Sequence, residues 1–120
     1  MVLECSQLNK ILINNFPNLQ EKYDDEVSWQ EGDYTGSHVV YGDVFTPYLV
    51  ECVSINNTTE IKKIFDFLEE ILLMKDKYST EVVAVSVIES VVYLLSESDY
   101  LQSFLGDETK VIFEEINATN

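Results

Sequence analysis

The stretch NNTTEIKKIFDFLEEILLMK, residues 56–75, decides the fold class. Ile61, Ile64, Phe65, Leu68, Ile71 and Leu72 recur three and four residues apart, which lays a continuous apolar stripe along one face of a helix. Asn57 followed by Glu60 has capping-box spacing, with Asn in place of Ser or Thr, and marks where that helix starts. Lys62 and Asp66, four apart on the outer face, add roughly a few tenths of a kcal/mol in the less favoured charge order.

Toward the C-terminus, Val82, Val83, Val85, Val87, Ile88, Val91, Val92, Leu94 and Leu95 surround the helical cylinder, so a central helix is expected, capped by Ser79 or Thr80. Two buried strands compete with that reading because valine is β-branched, but no turn signal divides the run. Glu89 is the one acid inside it and is read as lying at the helix edge, the alternative being a buried carboxyl with a partner. Asp99 to Leu105 predicts a helical turn stopped by Gly106. Asp107 then caps a last helix with Val111, Ile112 and Ile116 inward and Glu108, Glu114 and Glu115 outward, and the tail 118–120 frays.

Toward the N-terminus, Leu8, Ile11 and Leu12 predict a short helix over about Cys5 to Asn15, ended at Phe16-Pro17. Pro17 opens a second, acidic helix with Leu19, Tyr23 and Val27 four apart. Gln30 to Ser37, with Gly32 and Gly36 among polar residues, reads as a loop. Residues 38–55 are ambiguous. VVYGDVF alternates weakly like a strand, whereas Val44, Tyr48, Leu49, Cys52 and Val53 have helical spacing, with Pro47 tolerable in a first turn; a helix from about Asp43 is favoured, with a short extended segment near 38–42 as the alternative.

The whole is therefore expected to be all-α, a compact bundle of about five to six antiparallel helices in one domain over residues 1–120. Its 46% apolar content suffices for a core despite 22 acids against 7 bases, a formal net charge of -15. Such a surface repels phosphate backbones and anionic bilayers, so neither direct nucleic-acid nor membrane binding is expected, and a basic protein is the natural complement. The bland alternative is that the acidity serves solubility alone. MVLECSQLNK lacks the pattern of a secretory leader, and Val82 to Leu95 is short for a membrane span, so a cytoplasmic location is expected. Cys5 and Cys52 belong to no paired motif and read as small apolar residues, a disulfide between them being left open.

Residues for chemistry are sparse. The one imidazole, His38, stands beside a glycine-containing loop with neither cysteine near it in sequence, and no nucleophile-elbow motif occurs. No Cys or His pair has zinc-ligand spacing, and the acids from Asp24 to Asp33 lack the ordered pattern of a calcium loop, so no metal is expected. Gly32, Gly36 and Gly42 form no phosphate loop. No enzyme activity and no cofactor are expected.

What remains is an acidic segment interleaved with aromatics. Glu21, Asp24, Asp25, Trp29, Glu31, Asp33, Tyr34 and Tyr41 are the candidate partner-binding residues: the rings supply rigid contact area and the carboxylates speed encounter with a cationic partner. The competing reading has Tyr23 and Trp29 in the core with the acids merely flanking them.

KKIFDFLEEILL (62–73), the valine-rich helix through Ile88-Glu89 and FLGDETKVIFEEIN (104–117) resemble an uncharacterised family of small acidic helical bacterial proteins, and FPNLQEKYDDEVSW (16–29) extends the likeness. These motifs are helix faces, a glycine stop and an aspartate cap. The family in turn looks like the immunity partners of secreted or contact-delivered toxins, which implies an antitoxin-type protein occluding a basic toxin domain, a nuclease among the candidates. A helical adaptor or structural subunit, pairing through Phe67, Leu73, Tyr93 and Tyr100, is the alternative.

Overall fold

The computed structural model describes residues 2–119, and no strand occurs among them. Seven helices follow in order. Helix α1 is Cys5–Asn15, α2 covers 17–27, α3 covers 37–54, α4 is Thr58–Leu73, α5 is Lys77–Ser96, α6 is Asp99–Gln102 and α7 is Asp107–Thr119. The number exceeds the expected five to six because the turn after α5 closes as a short helix of its own, Ser98 accepting the Leu101 N–H.

Helix α4 carries the apolar stripe that its spacing predicts. All six predicted stripe residues are buried, and the Asn57 side chain accepts the Glu60 N–H at 3.2 Å. Phe67 is buried as well, at 5% exposure, stacked edge-on against Phe16 and Phe45 at centroid distances of 5.2 and 5.6 Å. It is therefore core and not an off-stripe contact residue.

Helix α3 starts at Ser37, not near Asp43, and there is no extended segment at 38–42. Its middle, Tyr41–Phe45, is a π-helical turn followed at once by Thr46–Ser54. Pro47 explains this geometry: proline lacks an N–H and its ring collides with the carbonyl four residues back, and the wider π turn absorbs both defects. Val40, Tyr41, Val44 and Phe45 are the buried positions, a helical face that reads as weak alternation in VVYGDVF.

Helix α5 likewise carries a π segment, Val82–Ile88, and the two π segments pack on each other. Its cap is Asp76, not Ser79 or Thr80. The Asp76 carboxylate accepts the Ser79 N–H at 2.9 Å, the Ser79 hydroxyl at 2.7 Å and the Leu3 N–H at 3.1 Å, so one side chain starts α5 and fastens the N-terminal segment. The apolar girdle is incomplete: Val82, Val83, Val87, Ile88, Val91 and Leu95 are buried, whereas Val85 and Tyr93 are 51% and 57% exposed, with exposed Glu89 between them in sequence at the helix edge. Starting at Lys77, α5 has 20 residues, and by length and composition alone it would be long and apolar enough to cross a membrane. In this fold 44% of its most apolar window is buried.

Helix α7 is capped from outside. Glu69, on α4, accepts the N–H groups of Glu108 and Thr109 at 3.0 and 2.9 Å and the Thr109 hydroxyl at 2.7 Å, taking the role expected of Asp107. A side chain at Gly106 would overlap the Glu69 carboxylate, so the glycine serves close approach at the start of α7; it does not stop the preceding helix, which ends at Gln102 with Ser103 as its C-cap. Thr109 and Phe113 form the buried face; Val111, expected inward, is half exposed, and Glu108, expected outward, is half buried and pairs with Lys75. The tail does not fray as expected at Ala118 and Thr119, which continue the helix; Asn120 lies outside the described residues.

Candidate functional site

The predicted partner-binding residues divide among α2, the loop after it and α3. On α2, Leu19, Tyr23 and Val27 turn inward at four-residue spacing, which leaves Glu21, Asp24 and Asp25 exposed. In the loop after α2, Glu31 and Asp33 are exposed, and Trp29 and Tyr34 are 73% and 72% exposed. Tyr41 does not join them. It is fully buried in α3, its hydroxyl donating to the Leu8 carbonyl at 2.8 Å, and burial pushes its ionisation well above the usual tyrosine range. The core alternative is thus right for Tyr23 and wrong for Trp29.

Residues outside the predicted set hold this surface in place. Asn9 and Ser37 are both fully buried. The Asn9 amide donates to the Thr35 carbonyl at 2.8 Å, and its oxygen accepts the Ser37 hydroxyl at 2.8 Å. The Ser37 N–H donates in turn to the Tyr78 hydroxyl at 3.0 Å. Inside the loop, Thr35 Oγ1 donates to the Gly32 carbonyl at 2.7 Å and accepts the Glu31 N–H at 3.2 Å, and Gly32 supplies the positive φ of 60° on which the turn depends. The Tyr23 hydroxyl donates to Asp33 Oδ1 at 2.8 Å; burial and then that carboxylate raise the Tyr23 ionisation. The loop is therefore tied to α1, α2 and α5, and Trp29 and Tyr34 project from a fixed frame. Only the polarity of this segment is legible in sequence; the pairing of Asn9 with Thr35 and Ser37 joins residues 26 and 28 positions apart.

A groove of about 440 Å³ opens beside this frame. Helix α1 contributes Lys10 and Ile13 to its lining, α2 contributes Gln20 and Tyr23, and the loop contributes Asp33 and Tyr34. A second groove, about 360 Å³, lies between the end of α1 and α4, but its cations are engaged: Lys62 pairs with Asp66 at 2.6 Å and the Lys63 ammonium sits 4.7 Å from the centre of the Phe16 ring.

His38 meets a hydroxyl that its sequence neighbourhood does not reveal. Its Nδ1 is 2.8 Å from the Ser86 hydroxyl on α5, and the Thr46 hydroxyl donates to the Ser86 carbonyl at 2.7 Å. Ser86 is buried, and neither groove is lined by the pair, which ties α3, just ahead of its π segment, to the π segment of α5. Cys5 and Cys52 are free thiols, Cys5 half-buried with its S–H directed to the Tyr34 carbonyl and Cys52 buried, which raises its ionisation. No group of three or more His, Cys, Asp or Glu among the described residues is arranged to hold a metal ion.

Comparison with curated proteins and with solved structures finds no match. A family model, described as a domain of unknown function, matches residues 9–119, a span that takes in the α1–α2 frame, the exposed loop and every later helix, and the chain accordingly belongs to the DUF7674 family.

Proposed function

We propose that this protein is a non-catalytic inhibitor of the immunity or antitoxin type, which binds a cognate basic toxin domain, such as a nuclease, and neutralises it by covering its substrate face. The observation that carries the reading is the exposure of Trp29 and Tyr34 on a loop pinned by buried hydrogen bonds, in a segment that also exposes Glu21, Asp24, Asp25, Glu31 and Asp33. Large rings with only two side-chain torsions, carried on a braced backbone, lose less conformational entropy on docking than long flexible side chains, and acids in the same segment steer a cationic face into place.

The test is an affinity pull-down of the tagged protein from its native lysate at low and high salt, followed by protection on co-expression with the captured protein. Recovery of a basic protein that salt weakens, with protection, is expected. Trp29→Ala should weaken that complex about 30-fold or more, as a hot-spot ring does. The reversal of Glu21, Asp25 and Glu31 to Lys should weaken it strongly and flatten its salt dependence while leaving the fold intact. A captured partner indifferent to both changes, or one giving complex without protection, refutes the reading.

The adaptor alternative now rests on Leu73, Tyr93 and Tyr100, which are 57%, 57% and 48% exposed, Phe67 having moved to the core. A homo-oligomer in light scattering whose mass ignores salt would favour it over inhibition.

A further inference from the structure

The groove between α1, α2 and the loop has a chemistry distinct from the acidic rim, and it narrows what the partner must present. Of the Asp33 carboxylate, Oδ1 is occupied by the Tyr23 hydroxyl, while Oδ2 accepts no hydrogen bond and Asp33 makes no ion pair among the described residues. Tyr34, the next residue, lines the same groove with its ring largely exposed. Ile13 and the buried Tyr23 add apolar lining, and the Gln20 side-chain amide donates a hydrogen bond to Asp24 Oδ1 at 2.9 Å. A free carboxylate oxygen beside an aromatic face and an apolar lining suits a planar cation with an aliphatic stem. Lys10 is the opposing feature, an exposed ammonium on the α1 side that disfavours any cation entering.

The geometry points to this groove as the seat of one arginine side chain of the basic partner, its guanidinium against Asp33 Oδ2 and the Tyr34 ring. This rests on the partner reading above and adds the residue type and the place. Asp33 then has two jobs, one oxygen orienting the loop through Tyr23 and the other receiving the ligand. The bidentate clamp that arginine prefers is replaced by one oxygen and one ring.

The test needs no partner. The ¹⁵N-labelled protein is titrated with acetyl-Gly-Arg-Gly-amide and, as neutral isostere, with acetyl-Gly-citrulline-Gly-amide, following backbone amide shifts. Saturable shifts centred on Lys10, Gln20, Asp33 and Tyr34, with a millimolar Kd for the arginine peptide and at least five-fold weaker binding of the citrulline peptide, are expected. Asp33→Asn, which can still accept from Tyr23, should weaken arginine binding at least three-fold. Lys10→Gln, a surface change, should tighten it about two-fold. Equal binding of the two peptides, shifts confined to the second groove at Thr59, Lys62 and Glu70, absence of saturable shifts, or weaker binding by Lys10→Gln would each overturn the assignment. A failed titration alongside salt-sensitive capture of a basic protein would leave the inhibitor reading standing, and a successful titration with no captured partner would remove that reading while keeping the groove.

Discussion

Replacing Glu69 by alanine should destabilise the protein strongly although the position is half exposed. The carboxylate receives two backbone N–H groups and one hydroxyl at the start of α7, and Thr109, which supplies two of those donors, is fully buried. Losing a helix cap costs about 1–2 kcal/mol. Losing a negative charge at a helix N-terminus costs roughly 0.3–1 kcal/mol. Leaving the Thr109 hydroxyl without a partner costs about 1–3 kcal/mol. These losses overlap, because the same bonds are counted from both ends, so a total of about 2–4 kcal/mol is expected. For 120 residues the unfolding entropy is roughly 0.25 kcal/mol per degree, so the midpoint should fall by about 8–16 °C. Urea and thermal unfolding followed by circular dichroism measure it. Glu69→Gln keeps an acceptor but not the charge and should show about half the loss. A change below about 0.5 kcal/mol for Glu69→Ala would refute the claim that α4 caps α7.

Leu68→Ala, at a fully buried position of the α4 stripe, should cost about 2–5 kcal/mol in urea unfolding; a loss under about 0.5 kcal/mol would mean that the stripe is not core. Gly42 and Gly106 should respond with opposite signs. A Cβ at Gly42 would rest 3.9 Å from the Ser86 Cβ, an ordinary contact inside a helix, so Gly42→Ala should stabilise by about 0.5–1 kcal/mol. Gly106→Ala meets Glu69 and should destabilise by about 1–3 kcal/mol, with a smaller effect in the Glu69→Ala background. Hydrogen bonds from the Ser79 hydroxyl and N–H hold the Asp76 carboxyl below the usual aspartate range. A depressed folded-state value means stability that is present above the unfolded pKa of about 3.9 and is lost as pH falls through the folded value. Asp76→Asn should therefore be less stable than the parent at pH 7, and the gap should close below about pH 4 in pH-dependent denaturation.

The helices whose apolar period is undisturbed were legible from sequence: α1, α2 and α4 bury Leu8 and Leu12, then Leu19, Tyr23 and Val27, then Ile61 to Leu72. What was not legible comes from contacts between distant positions. Asp76 caps α5 while also holding Leu3, 73 residues away, and Glu69 caps α7 from 39 and 40 residues upstream, so local cap rules selected Ser79 and Asp107 instead. Helix α3 was read as starting late because a π turn shifts the register of the buried positions and Pro47 reads as a first-turn residue wherever it stands. The adjoining π turn in α5 matters for the same reason: two defects pack together, with Ser86 bound by both His38 and Thr46, and a period search sees neither.

The aromatics of the acidic segment show how much of the site the sequence carried. Tyr23 continues the Leu19–Tyr23–Val27 stripe, so the helical period accounts for its burial, whereas Trp29 lies in the turn past the end of α2, where that period no longer applies. Tyr41 could not be sorted that way, because its burial depends on the Leu8 carbonyl from another helix. The same dependence gives the exposed rings their meaning. The backbone beside Tyr34 is tied down by Asn9, Thr35 and Ser37, and Trp29 and Tyr34 keep most of their surface in water in the free protein. Burying a ring of this size against a partner is worth roughly 3–5 kcal/mol before the losses of association. In the proposed complex the carboxylates of Glu21, Asp24, Asp25 and Glu31, exposed and screened by salt, would act mainly on the rate of encounter. Affinity should then reside in the two rings and Asp33 and speed in the other four acids, an allocation that an acidity serving solubility alone would not require.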